Sequence, residues 1–218
     1  MGMVITIDGP AASGKSSVSR ELAKRLGWQW VSTGAFYRGL AFAAIQLGID
    51  LDNVEGLVNL ANDSVWQVVM SPEQTQVLFK GKDVTEQISH EDVGSFASKV
   101  SHYPPVRQAL LEAQRRCSDG PQGLVAEGRD CGTVVFPQAT AKVYLTASSE
   151  NRAARRAAEQ GAAAEEIMKA QQVRDHQDSS RKTAPLQIPP EALVVDTTSL
   201  NLIQVVDCVE KFVSAKLQ

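Results

Sequence analysis

Three things are scarce in this chain of 218 residues, and each scarcity narrows what it can be. Cysteine is the first. Only Cys117, Cys131 and Cys208 occur, far apart and odd in number, so neither a metal-ligand spacing nor a disulfide framework results. Reduced thiols and a cytoplasmic location are expected. Surplus positive charge is the second: Lys and Arg number 22 against 25 Asp and Glu, a net charge of −3. No global field draws the chain to a nucleic acid polymer or a membrane surface. The third is long apolar sequence, since no run suits a bilayer span or a signal peptide. The GTPase motifs Asn-Lys-x-Asp and Asp-x-x-Gly are also missing, and no internal repeat is found. What remains is an ordinary globular composition, 43% hydrophobic and 22% charged, enough for a packed core.

Five short runs read as strands: 4–8, 28–32, 124–127, 142–146 and 193–196. They are continuous rather than alternating and rich in Val, Ile and Leu, as strands buried on both faces of a parallel sheet are. Helical patterns separate them at 14–26, 34–47, 106–117, 149–160 and 201–216. This alternation predicts a three-layer α/β fold around a five-stranded parallel sheet. Two regions break it. Between 64 and 85 a hairpin pattern turns at Ser71-Pro72-Glu73, so 60–99 is expected to form a small α+β insert. The stretch 157–182 is rich in Ala, Gln and charge with almost no large apolar residue, and is expected to be exposed or mobile, part of a helical lid over 149–182. The rest, 1–59, 100–148 and 183–218, makes the core domain.

Gly9-Pro10-Ala11-Ala12-Ser13-Gly14-Lys15-Ser16 matches the Walker A pattern, placed between a strand and an amphipathic helix as the pattern requires. Such a loop turns backbone N–H groups around phosphate oxygens at a helix N-terminus. Lys15 is placed to reach the outer phosphates and Ser16 to ligate Mg²⁺, so these residues with Ser17 are the expected ATP site. A P-loop in a chain of this size, shorter than a motor or helicase and without GTPase motifs, points to a small-substrate kinase. The twelve arginines are unevenly spread, with Arg152, Arg155, Arg156, Arg174 and Arg181 falling in one thirty-residue stretch of an acidic protein, which suggests a small anionic ligand. Three further candidates follow: Arg38 opening a mostly apolar helix, Arg129-Asp130 at the carboxyl end of the third strand where α/β proteins bind ligands, and Arg174, Asp178 and Arg181 at helical spacing.

These segments together resemble the bacterial cytidylate kinases over essentially the whole chain. The resemblance rests on Ile7-Asp8-Gly9-Pro10, Thr33-Gly34-Ala35-Phe36-Tyr37-Arg38, Ala97-Ser98-Lys99-Val100, Val106-Arg107, the run from Glu127-Gly128-Arg129-Asp130 to Phe136-Pro137, and Arg174-Asp175-His176-Gln177-Asp178-Ser179-Ser180-Arg181. It implies a P-loop NTPase fold, ATP as donor with Mg²⁺, and CMP or dCMP as acceptor. It also implies that Thr33, Arg107, Asp130 and Arg181 surround the cytosine, that Ser98, Arg174 and Asp178 contact the sugar, and that Arg38 and Arg129 hold the acceptor phosphate. A lid arginine, Arg155 or its neighbours Arg152 and Arg156, would cover the transferring phosphate. Lys15, Arg38, Arg129 and Arg155 are thus the expected catalytic set. The chain departs from the family pattern at Ser32, where Asp is usual, at Ala12-Ser13, which replaces a glycine-containing pair, and in a short alanine-rich segment around 159–166. A monomer is expected, because the insert already covers the acceptor side. Two other readings stay open on the residues: another small-molecule kinase on the same scaffold, uridylate-preferring or shikimate-type, and a non-catalytic nucleotide-binding module.

Overall fold

The computed structural model describes residues 2–120, 122–160, 164–181 and 183–217, with the side chains of 159, 160, 164–166, 170 and 174 outside that description. The chain runs β1 (Val4–Asp8), α1 (Lys15–Leu26), β2 (Gln29–Ser32), α2 (Gly34–Gln46), α3 (Val54–Ala61), β3 (Trp66–Met70), β4 (Thr75–Phe79), β5 (Lys82–Asp83), α4 (Thr85–Ser89), α5 (Glu91–Val100), α6 (Pro104–Arg116), β6 (Leu124–Gly128), a π-helical turn (Cys131–Val135), β7 (Ala141–Thr146), α7 (Ser149–Gln160), α8 (Ala164–Ser180), β8 (Leu193–Asp196) and α9 (Leu202–Lys216).

The main sheet has the order β2-β6-β1-β7-β8, all parallel. Side chains of a strand alternate between faces, and the core divides accordingly. Val4, Leu124 and Ala126 face a cluster with Leu40, Leu57 and Leu110. Ile5, Ile7 and Val125 face the other, with Val18, Leu22, Val206 and Val209. Burying each such side chain contributes about 1.5–3 kcal/mol, the main drive for the three layers. Local signals mark the helix ends. Pro at the first turn starts α6 two residues earlier than the hydrophobic pattern alone indicates, and α9 opens on an Asn201–Gln204 capping box.

Strands β3, β4 and β5 form a separate antiparallel sheet. Its apolar face does not make a core of its own: Trp66 and Val77 pack in the same cluster as Leu124 and Ala126. The hairpin also guards an edge. Trp30 N donates to Ser71 O at 3.3 Å and Ser32 N to Thr75 Oγ1 at 3.0 Å, which covers the outer side of β2.

The expectation of an exposed or mobile segment over 157–182 needs correction in part: Gln172, Val173 and His176 are exposed, but one side of the segment is buried. Helix α8 carries Ile167, Gln171 and Asp178 in buried positions. It is held less by apolar area than by polar contacts: Gln171 Nε2 donates to Arg152 O at 3.3 Å, and Arg152 pairs with Asp175 at 2.6 Å. Charged side chains that find partners can be buried without an apolar stripe, which is why composition misled. The residues 161–163 of the alanine-rich segment lie outside the described ones.

Candidate active site

The register of the sheet places Asp8 beside Gly128, and Ile7 and Ser32 beside Glu127, so three strands end together at their carboxyl edge. Each then delivers a functional segment to one side of the sheet. A cleft of about 500 Å³ opens there. Its lining includes Ala11, Ala12, Lys15, Ser16, Thr33, Arg38, Ser98, Arg107, Arg129, Asp130, Asp178 and Arg181.

The P-loop is shaped by sterics. Gly9 has φ 148°, and a Cβ there would stand 2.1 Å from Leu145 O, so no other residue fits. Ala12, at the position where the sequence departs from a glycine-containing pair, takes a left-handed φ of 56°, a strain of roughly 1 kcal/mol. Helix α1 begins at Lys15 with no side-chain cap and no acidic residue in its first turn, leaving its amide end suited to an anion. Lys15 is buried, and Nζ donates to Pro10 O at 2.6 Å. Burial, and then the Arg129 charge, lower its pKa to about 7.

Ser16 Oγ donates to Glu127 Oε1 at 2.9 Å. Across the cleft Thr33, at the start of α2, donates through Oγ1 to Glu127 O at 2.9 Å. Gly128 allows this approach, since a Cβ there would lie 2.3 Å from Thr33 Oγ1. Arg129 Nη1 donates to Gly9 O at 2.9 Å, joining the loop after β6 to the P-loop, and Nε donates to Asp178 Oδ2 at 2.6 Å. Burial opposes the Arg129 charge, but Asp178 prevails and the pKa is raised. Asp178 also receives Arg181 at 3.1 Å. Asp130 pairs with Arg107, both buried. Burial moves the Asp130 carboxyl above the usual range, against the pull of Arg107. Arg107 also lies over the Tyr37 ring, 5.4 Å from its centroid. Ser98 Oγ donates to Gln177 Oε1 at 3.0 Å, and Arg38 Nη1 to the Ile88 and His90 carbonyls at 2.6 and 3.0 Å.

Of the α7 arginines, Arg156 lines the cleft and pairs with Glu91 at 3.1 Å. Arg155 lies beside the P-loop instead, 3.9 Å from where a Gly14 Cβ would be, with Nη1 on Thr197 Oγ1 at 2.9 Å. The side chain of Arg174 lies outside the described ones. Glu127 and Asp8 were absent from the expected site. Their signal was available: both are acidic residues at the ends of otherwise apolar parallel strands.

The cleft therefore joins a phosphate-binding loop to a buried Arg–Asp pair and a further set of arginines. The family model described as cytidylate kinase matches residues 5–215. The chain belongs to the cytidylate kinase family. A cytidylate kinase of Bdellovibrio bacteriovorus is 74% identical over 217 residues, covering 100% of both chains. One from Azotobacter vinelandii is 47% identical, covering 98% of this chain and 96% of its own. A gluconokinase from Sinorhizobium meliloti 1021, 14% identical, superposes with a TM-score of 0.54 over 98% of this chain and 92% of its own, a likeness of fold alone. This cytidylate kinase family member is thus a P-loop kinase, of a class that transfers phosphoryl groups with metal assistance. Among the described residues no helix is long and apolar enough to cross a membrane.

Proposed function

We propose that this chain transfers the γ-phosphate of ATP to CMP or dCMP in the cytoplasm, as a monomer, with the donor on the P-loop and the acceptor on the arginines across the cleft. The observation that carries this reading is the meeting of Lys15 and Ser16 with Arg129 and Asp130 in one cleft of about 500 Å³. Arg38 and Arg129 would hold the acceptor phosphate, the fixed planar donors of arginine suiting phosphate oxygens better than lysine. Arg107, Asp130, Thr33 and Arg181 would face the cytosine, and Ser98, Asp178 and Arg174 the sugar. Residues 60–99 then act as the acceptor-side insert and 149–182 as the lid, with Arg155 and Arg156 reaching the phosphates from α7.

Two anions must be brought within bonding distance, so alignment and charge neutralisation dominate. The attacking oxygen belongs to an anionic phosphate, and no side chain is needed to deprotonate it. Lys15 would stabilise charge on the transferring group, and closure of α7 and α8 would exclude water that otherwise hydrolyses ATP. The residues fit Mg²⁺: a hydroxyl and a carboxylate, Ser16 and Glu127, stand together at the P-loop. Among the described residues no group of three His, Cys, Asp or Glu competes as a metal site. A few hard oxygen donors, completed by substrate phosphate and water, are what Mg²⁺ prefers. Bound there, it would neutralise charge on the transferring phosphate. Following ADP formation from Mg-ATP with each acceptor in turn tests the proposal. CMP-dependent ADP release supports it, and release driven only by a sugar or shikimate would reject it.

A further inference from the structure

Asp8 is fully buried at the end of β1, and the roles above leave it unused. A carboxylate is expensive to remove from water unless its oxygens are met by donors. Here the donors are two consecutive backbone amides. Oδ1 accepts from Cys131 N at 2.8 Å and Oδ2 from Gly132 N at 2.7 Å. Both belong to the π-helical turn directly after Arg129 and Asp130. On the other flank Arg129 donates to Gly9 O. The dipeptide Asp8-Gly9, where β1 passes into the P-loop, is therefore bonded three times to residues 129–132. The β1–β6 ladder ends at Asp8 and Gly128, so these bonds continue the register where the sheet stops. The seat is tight: a Cβ on Gly132 would lie 2.8 Å from Thr6 Oγ1 and 3.2 Å from Asp8 Oδ2. Burial raises the Asp8 pKa to about 7, against the pull of the two amides.

We propose that Asp8 is a positioning residue for phosphoryl transfer: its carboxylate clamps the loop carrying Arg129 and Asp130 onto the P-loop and so sets the line between donor and acceptor phosphates. The inference rests on the reading of the P-loop as donor site and Arg129 as acceptor site. In-line transfer is sensitive to such a register, since a misplacement of about 1 Å can cost on the order of 100-fold in rate. A carboxylate suits the clamp better than an amide, because it offers an acceptor to each N–H, whereas asparagine would set its own NH₂ against one of them.

The test uses Asp8→Asn and Gly132→Ala in the full chain, with folded fraction checked by thermal unfolding. kcat with CMP is compared with the Kd for ATP alone. Because the P-loop keeps its own backbone cradle, ATP affinity should stay within about 3-fold while kcat falls about 100-fold in Asp8→Asn and about 10-fold in Gly132→Ala. A merely structural role would lower the Tm and leave kcat per folded molecule unchanged. That result, or ATP affinity lost in parallel with kcat, overturns the clamp. If Asp8→Asn does not fold, Gly132→Ala decides by the same criteria. Wild-type protein that forms no ADP from ATP and CMP would overturn the reading of the site and the clamp with it. Active wild type with unimpaired variants would overturn the clamp alone.

Discussion

Lys15→Met should cut turnover severely and, without nucleotide, make the protein more stable at low pH. The fold holds an ammonium where water would serve it better, and its pKa falls from 10.5 to about 7. Below pH 7 the group is charged in both folded and unfolded chains, so the folded state bears the whole burial cost. Between pH 7 and 10.5 the unfolded chain binds a proton that the folded chain does not, and stability rises with pH. Above 10.5 the cost is gone. A shift of this size corresponds to at most about 5 kcal/mol at about 1.4 kcal/mol per unit. Methionine removes that cost and also the bond to Pro10 O, which offsets roughly 1.5–3 kcal/mol. The net gain at pH 6 should be at most about 2–3.5 kcal/mol, a rise in Tm of up to roughly 14 °C for a chain of this length. It should shrink as the pH approaches 10. Thermal unfolding of both proteins at pH 6, 8 and 10 measures it, with an ADP-release assay showing a loss of about 100-fold or more in kcat. A variant less stable than wild type at pH 6, or a difference that ignores pH, would refute the reasoning.

Arg129→Ala should cut kcat by about 100-fold with a modest drop in Tm, because Asp178 keeps Arg181 as a partner; steady-state kinetics with near-normal kcat would remove Arg129 from the acceptor site. Asp130→Asn leaves Arg107 buried without its carboxylate, so a loss of about 3 kcal/mol or more in urea unfolding is expected, along with a smaller preference for CMP over UMP. Amide exchange across α8 should slow when both nucleotides are added, since its Asp175 and Asp178 sit on arginines at the P-loop and cleft; identical exchange in the two states would reject the lid.

The parts of the fold legible in the sequence are those dictated by local pattern. The five strands of the main sheet match the continuous apolar runs to within about a residue, because both faces of a parallel sheet are buried. The hairpin 66–79 was readable from its turn residues, but β5 was not, being only two residues long. The π-helical turn at Cys131–Val135 had no local signal either. The Asp8 carboxylate, more than 120 residues earlier, receives its first two amides. The buried side of α8 was hidden for the same reason: it depends on Arg152, Arg129 and Ser98 from other elements. Of the residues lining the cleft, those in motifs, such as Lys15, Ser16, Arg129 and Asp130, could be picked out as candidates because motif chemistry is tied to spacing. Glu127 carries a signal, an acid closing an apolar strand, but its partner does not: the 2.9 Å contact with Ser16 comes from the pairing of β1 with β6.

The measurement that bears most directly on the account is kcat/KM for CMP, dCMP, UMP, AMP and GMP at saturating Mg-ATP. Cytosine presents an amino group at C4 and an unprotonated N3, which suit an Asp130 acceptor and arginine donors. Uracil reverses both, and each mispaired buried group costs roughly 1–3 kcal/mol. The expected result is efficient turnover of CMP and dCMP, UMP lower by about 10- to 100-fold or more, and purine nucleotides nearly inert. Equal efficiency with CMP and UMP would contradict a cytosine-reading pocket at Asp130 and Arg107, and no turnover of any nucleoside monophosphate would contradict the proposed reaction.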